Sequence, residues 1–277
     1  MSVSLERLQA LRRQSGGPKP ASVAVPVDPV LDQVAKLRGL LRVKRSSAPR
    51  IVQSTDRDIP GVELVPGLWF REQVLPLDVS WPQALDGTFA RSEPIPSADL
   101  LFFDTETTGL AGGTGTRAFM VGAADVTPAG LRVRQLTIAN TAAEPAMLET
   151  FQTWLSPSTI LCSYNGRSYD APLLKTRYRL MRQQEPLSGL AHVDLLYPTR
   201  RRYRGVFENC RLATIERRVL GIVREDDLPG SEAPGAWLGY LRGGSSQLLK
   251  RVLAHNHQDV VTLARLALHL EVQPCSP

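Results

Sequence analysis

Between Leu100 and Leu196 the apolar pattern of the chain changes partway along. LLFFDTE (100–106), AFMVGAADV (118–126) and LRVRQLTIA (131–139) read as three buried strands, the last two joined by the turn TPAG. Connections this short make such runs antiparallel neighbours. Beyond them, strands alternate with helix-like stretches. EPAMLETFQTWL (144–155) places Pro145 in the first turn of a helix; the strand TILCSYN (159–165), the helix PLLKTRYRLMRQ (172–183) and the strand AHVDLL (191–196) follow. RLATIERRVLG (211–221), APGAWLGYLRG (233–243) and a long stretch from about Gln247 to Val272 are expected to be helical. A strand meander followed by strand–helix crossovers gives an α/β fold, a mixed sheet flanked by helices.

The rest of the chain is organised around this core. GVELVPGLWFREQVLPLDV, from Gly61 onward, reads as two or three short strands broken at Pro66-Gly67 and forming a small β-element packed on the core. Stretches 1–15 and 28–45 are helix-like, separated by the linker-like QSGGPKPAS. Residues 1–58 hold 11 Lys and Arg against 5 Asp and Glu, which accounts for the whole formal charge of +6; the remainder carries 22 of each. The domains expected are therefore a basic extension (1–58), the β-element (59–97) and the core (98–273). A basic arm on a neutral body suits a polyanion partner, and equally a solvated tail. No apolar run reaches the roughly 20 residues of a membrane helix, and the N-terminus lacks a signal-peptide pattern. Cys162, Cys210 and Cys275 lie far apart with no CxxC, which argues against a disulfide framework and for a reducing cytoplasm.

Three short stretches carry chemistry. Asp104 and Glu106 end a buried strand, and residues i and i+2 share a strand face. Two carboxylates buried side by side call for a cation, and hard oxygen ligands favour Mg²⁺ or Mn²⁺. Tyr164-Asn165-Gly166-Arg167-Ser168-Tyr169-Asp170 lies where a strand hands over to a helix; alone, Asp170 reads as a helix cap. In the long C-terminal helix, His255 and Asp259 stand four apart on one face; alone, they read as a surface pair. His257 points to another face. Gly112 to Thr116 could wrap a phosphate, though a flexible hairpin is the better reading. Arg200, Arg201, Arg202 and Arg204 around Tyr203 could track a nucleic-acid backbone or form a solvated charge run.

Taken in order and on these elements, Asp104, Glu106, Asp170, His255 and Asp259 resemble the motif set of the DEDD superfamily of 3′–5′ exonucleases, which has a ribonuclease H-like fold. LAGGTGTRAFMVG (110–122), NGRSYD (165–170), ENCRLATIERRVLG (208–221) and HNHQDVVTLARL (255–266) further resemble the YprB-like branch of ribonuclease H-like proteins, over about residues 60–270. His255 has the residue type of one DEDD subtype and the four-residue spacing of the other.

The resemblance implies a two-metal phosphodiester hydrolase acting on the 3′ end of DNA or RNA, DNA slightly preferred, with a role beside helicases in DNA repair. Asp104 is expected to bridge two Mg²⁺ or Mn²⁺ ions, with Glu106, Asp170 and Asp259 completing their shells. His255 is expected to act as general base, a task suited to imidazole at neutral pH. Thr107, Thr108 and Gly109, with Asn165 and Tyr169, are the substrate-binding candidates. The alternatives are an endonuclease on the same fold and a non-catalytic nucleic-acid-binding module.

Overall fold

The computed structural model describes residues 56–77, 80–109, 114–225 and 227–272. The expectations for the basic arm up to residue 55, for Gly112 and Gly113 and for Cys275 lie outside these described residues.

The strands are β1 (Val62–Val65), β2 (Leu68–Leu75), β3 (Ala84–Leu85), β4 (Ile95–Pro96), β5 (Leu100–Thr107), β6 (Ala118–Thr127), β7 (Gly130–Ile138), β8 (Ile160–Ser163) and β9 (Ala191–Asp194). The helices are α1 (Glu144–Gln152), α2 (Asp170–Leu180), α3 (Leu196–Tyr203), α4 (Leu212–Ile215), α5 (Ala233–Leu241) and α6 (Gln247–Val272). Seven strands form one sheet in the order β1-β2-β7-β6-β5-β8-β9, and β3 pairs with β4 in a separate ribbon. The β5–β6 and β6–β7 pairs are antiparallel, and β8 and β9 add in parallel to β5. The meander and crossovers expected from sequence are both present. The β1–β2 hairpin continues this sheet, through antiparallel pairing of β2 with β7.

Both faces of the sheet are covered, because β5 buries both sets of its alternating side chains. Phe103 and Leu101 pack with Phe119, Phe151, Tyr178 and Trp237. Phe102 and Leu100 pack with Val133, Leu263 and Leu266. Helix α6 serves both clusters: Leu249, Val252 and Leu253 belong to the first, and Val260 through Leu270 to the second. The segment His255–Asp259 falls where the helix passes from one to the other.

Two elements differ from the sequence reading. The run 211–221 is not one helix: a single α-turn is followed by a π-turn at Glu216–Leu220, closed by left-handed Gly221. The wider turn coincides with Glu216, whose side chain is buried against Arg224 and Thr262. The arginine run, left without an element by sequence, begins inside α3.

Candidate active site

Strand β5 stays paired with β6 as far as Thr107 but leaves β8 after the Phe102–Cys162 pair. The parting of two parallel strands opens a crevice at their carboxyl ends, the usual place for a site in such sheets. Asp104 and Glu106 lie on the stretch of β5 beyond the split. Asp170 enters from the loop that follows β8. It is the first residue of α2, and no side chain caps that helix. Instead its Oδ1 accepts a hydrogen bond from the Thr105 hydroxyl on β5. The capping reading of Asp170 therefore gives way to one in which the carboxyl is turned towards β5. The loop before it is held by Asp194 at the end of β9, which accepts from the main-chain N–H of Asn165 at 2.7 Å and of Arg167 at 3.1 Å. Asn165 takes a left-handed backbone (φ 67°) in this turn.

Helix α6 supplies the other wall. Asn256, fully buried, donates from Nδ2 to Asp104 Oδ2 at 3.0 Å. Its own Oδ1 accepts from Gln135 Nε2 of β7 at 3.0 Å, and Gln135 also donates to the Leu253 carbonyl at 2.8 Å. The amide packs against Gly122, where a Cβ would come within 2.0 Å of Asn256 Oδ1. Only glycine leaves room for the chain Gln135–Asn256–Asp104. Gly122→Ala is therefore expected to keep the fold and lower turnover by roughly 10- to 100-fold, the scale seen when a partner of a metal ligand is displaced. Steady-state kinetics beside a thermal melt checks this.

Glu106, His255 and Asp259 each offer a ligand atom within 4.8 Å of the others, a spacing at which one cation can be held. His255 Nε2 is 3.4 Å from Asp259 Oδ2. On its other side Nδ1 is 2.7 Å from Asp227 Oδ1 and 3.1 Å from Arg224 Nη1. Asp227 is the nearer partner of Nδ1, a contact that suits an Nδ1–H tautomer, and Nε2 is turned towards Asp259. Arg224 forks onto Glu216 with two bonds of 2.6 Å and also donates to Asp259.

The electrostatics follow from this crowding. Burial drives the Asp104 carboxyl well above its ordinary range, and the charges of Asp259, Asp170 and Glu106 push it the same way. Glu106 is raised by burial and then by Asp259, Asp170 and Asp227, against the pull of Arg224. Burial lifts Asp170 from 3.8 to about 6 in spite of the Thr105 bond. Asp259 is also raised by burial, with His255 and Arg224 opposing. Such a group is short of positive charge, and an oxygen-preferring divalent cation fits it.

A pH dependence follows. Between pH 4 and 6 the folded metal-free protein keeps a proton on Asp170 that the unfolded chain has lost, so stability falls as pH rises through this window. Acidifying the metal-free protein from pH 7 to about 5 is expected to raise its Tm by roughly 2–4 °C per kcal/mol gained. Mg²⁺ or Mn²⁺ is expected to raise Tm at pH 7 and progressively less below pH 6, since ligands must be deprotonated. Calorimetric scans with EDTA and with each ion measure both trends.

One cavity of about 430 Å³ is lined by Asp104, Thr105, Thr107, Gly109, Thr116, Tyr169, Asp170 and Leu173. Of the substrate candidates, Thr107, Gly109 and Tyr169 thus line it, and Tyr169 is 60% exposed. Thr108 and Asn165 are not among its lining; the Thr108 hydroxyl accepts from the Arg117 N–H at 3.0 Å. His257 is not in the group formed by Glu106, His255 and Asp259; burial, and then the charge of Arg71, lower its imidazole. Tyr203 stacks on Phe207 and its hydroxyl meets His269 Nε2 at 2.7 Å, so its ring is taken up by internal packing.

Five polar residues of the site were not singled out from sequence. Asn256 had a readable signal, an amide on the apolar stripe of α6 between Val252 and Val260. Gln135, likewise, is a polar residue inside a buried strand. Arg224, Asp227 and Glu216 come from a π-turn and an irregular loop, where no periodicity marks a side chain as inward.

The fold and this cluster define a class. The RNase_H superfamily model matches residues 101–271, and the chain belongs to that superfamily. Within it, the YprB-like resemblance is borne out: the chain is 38% identical over 173 residues, 62% of its length, to the uncharacterized protein YprB of Bacillus subtilis (strain 168). The match covers 42% of that protein. Among solved structures, the family B DNA polymerase of the hyperthermophilic archaeon Pyrobaculum calidifontis aligns with a TM-score of 0.46 at 16% identity, over 64% of this chain and 25% of that one.

Proposed function

We propose that the protein is a metal-dependent 3′–5′ exonuclease that hydrolyses phosphodiester bonds of DNA or RNA, in keeping with a role in DNA repair. The observation that carries this reading is the carboxylate cluster of Asp104, Glu106, Asp170 and Asp259 with His255 at its edge, each carboxyl raised by burial at the split between β5 and β8. Asp104, Glu106, Asp170 and Asp259 would hold two Mg²⁺ or Mn²⁺ ions. When bound, these neutralise the phosphate charge and make water more acidic.

The remaining work falls to the chain. His255 Nε2 accepts the proton of the attacking water, and Asp227 holds the ring in the tautomer that leaves Nε2 free. Asn256 fixes the rotamer of Asp104 through Gln135. Arg224 offsets the charge of Asp259 and is itself anchored on buried Glu216. Tyr169 offers an exposed ring beside the cavity on which a terminal base can stack. Thr107 and Gly109 border the space for the terminal nucleotide. Cys162 and Cys210 stand as free thiols, in keeping with the cytoplasm. Among the described residues no helix is long and apolar enough to cross a membrane.

The test is hydrolysis of labelled DNA and RNA oligonucleotides by the purified full chain with Mg²⁺, with Mn²⁺ and with EDTA. Metal-dependent release of mononucleotides by the wild type, and its loss in Asp104→Asn, is the expected result. Binding without any hydrolysis under all three conditions would favour a non-catalytic module instead.

A further inference from the structure

A second cavity, of about 420 Å³, lies on the side of α2 away from the acidic one. Arg167, Lys175, Thr176 and Arg179 line it, with Leu161, Leu187 and Leu190 of the walls and His192 of β9. No carboxylate lines it, and neither Arg167, Lys175 nor Arg179 forms an ion pair among the described residues. Lys175 and Arg179 stand four apart on one helix face, a like-charge arrangement that is destabilising unless an anion answers it. The backbone of the third cation is held, since Asp194 accepts from the main-chain N–H of Arg167 at 3.1 Å, and the exposed side chain lines the cavity. His192 registers the field. Burial first, and then the charges of Arg167 and Lys175, pull it down to about 4, so it is neutral near pH 7. Its Nε2 is engaged with Ser163 Oγ at 2.7 Å.

We infer that this cationic cavity binds backbone phosphates of the nucleic-acid strand whose end occupies the acidic cavity. The inference rests on the reading of that cavity as the nuclease site. The two cavities share a loop and a helix: Tyr169, Asp170 and Leu173 face one, and Arg167, Ala171 and Lys175 the other. Three cations spread over a loop and two turns of helix, two of them exposed, suit successive phosphates of a chain better than a single small anion. The acidic cavity repels a polyanion, so holding the strand one helix away supplies attraction where the metal site has none to spare.

The experiment compares the wild-type full chain with Arg167→Gln/Lys175→Gln/Arg179→Gln, with Lys175→Glu as a second variant and Arg71→Gln, on β2 at the other end of the sheet, as control. Equilibrium binding of a labelled single-stranded oligonucleotide is followed against KCl concentration in EDTA. The slope of log affinity on log salt is expected to fall by about 2 in the triple variant, since each single-strand contact contributes about 0.7, and to stay unchanged in Arg71→Gln. With Mn²⁺, the triple variant is expected to show a raised KM on a long oligonucleotide, an unaltered kcat, and wild-type hydrolysis of a dinucleotide too short to reach the second cavity. An unchanged salt slope in both variants overturns the inference. So does an equal loss on the dinucleotide by variants that melt like the wild type. Competition by inorganic phosphate that the triple mutation abolishes, with the oligonucleotide slope unchanged, assigns the cavity to a small anion and also overturns it. Absence of hydrolysis by the wild type would count against the nuclease reading, while the salt slope in EDTA would still decide this one.

Discussion

Replacing His255 by alanine is expected to lower turnover by about 10²–10⁴-fold, the usual contribution of a positioned general base. The geometry gives the reason. The ring reaches Asp227 through Nδ1 at 2.7 Å and faces Glu106 and Asp259 through Nε2, so one nitrogen is committed to orientation and the other is available to water. Removing the ring leaves Asp104, Asp170 and Asp259 in place, and Mn²⁺ binding measured by calorimetry should weaken far less than in Asp259→Ala. Asp227→Ala should cost less, because the ring remains but loses its tautomeric anchor. His257→Ala should behave like the wild type, since two residues before Asp259 on α6 it projects from another face of the helix. If His255→Ala retained wild-type turnover, water would have to be activated without it, and the general-base role of His255 would be refuted.

The largest expected effect on stability lies elsewhere. Glu144, at the start of α1, is 1% exposed and takes a bidentate pair of bonds from Arg177 of α2, at 2.5 and 2.8 Å, with Arg117 adding a third contact at 3.0 Å. Arg177 is itself buried, and its remaining arm donates to the Thr114 carbonyl at 3.1 Å. Glu144→Ala strands a guanidinium without its carboxylate, which costs about 3–5 kcal/mol. For a domain of this size that is a fall in Tm of roughly 6–20 °C. The consequence reaches the site, because Arg177 tethers Thr114 and the adjoining Thr116 lines the acidic cavity. Glu144→Ala should therefore also raise KM, whereas Glu144→Gln, which keeps an acceptor, should lose less of both. A melt of Glu144→Ala indistinguishable from the wild type would mean that Arg177 finds water or another acceptor on losing its partner.

The β5–β7 meander was legible because three continuous apolar runs of strand length stand in a row, the last two joined by a four-residue turn, and the crossovers because Pro145 and Pro172 mark helix starts. The carboxylates were legible through local rules: i and i+2 on a strand for Asp104 and Glu106, i and i+4 on a helix for His255 and Asp259. What stayed hidden depends on contacts across the sheet. That Asn256 should reach Asp104 requires knowing that Gly122 lies beneath it, a juxtaposition of β6 and α6 that no spacing encodes. Asp194 was readable only as a cap for the helix that follows. In the fold it does this through the Leu196 N–H at 3.1 Å and also pins the loop carrying Arg167. Arg224 and Asp227 sit in a stretch without periodicity, and only the path of the chain after the π-turn brings them to His255.

The central claim is that one metal centre at the β5–β8 split removes nucleotides from a 3′ end. The most direct measurement is the product ladder of a 5′-labelled single strand under Mn²⁺, with a 3′-labelled strand of the same sequence in parallel. The account predicts a 5′-labelled ladder that shortens stepwise with time and immediate release of the 3′ label as mononucleotide, both abolished by EDTA and by Asp104→Asn. Internal fragments from the outset, or release of the 5′ label first, would contradict it.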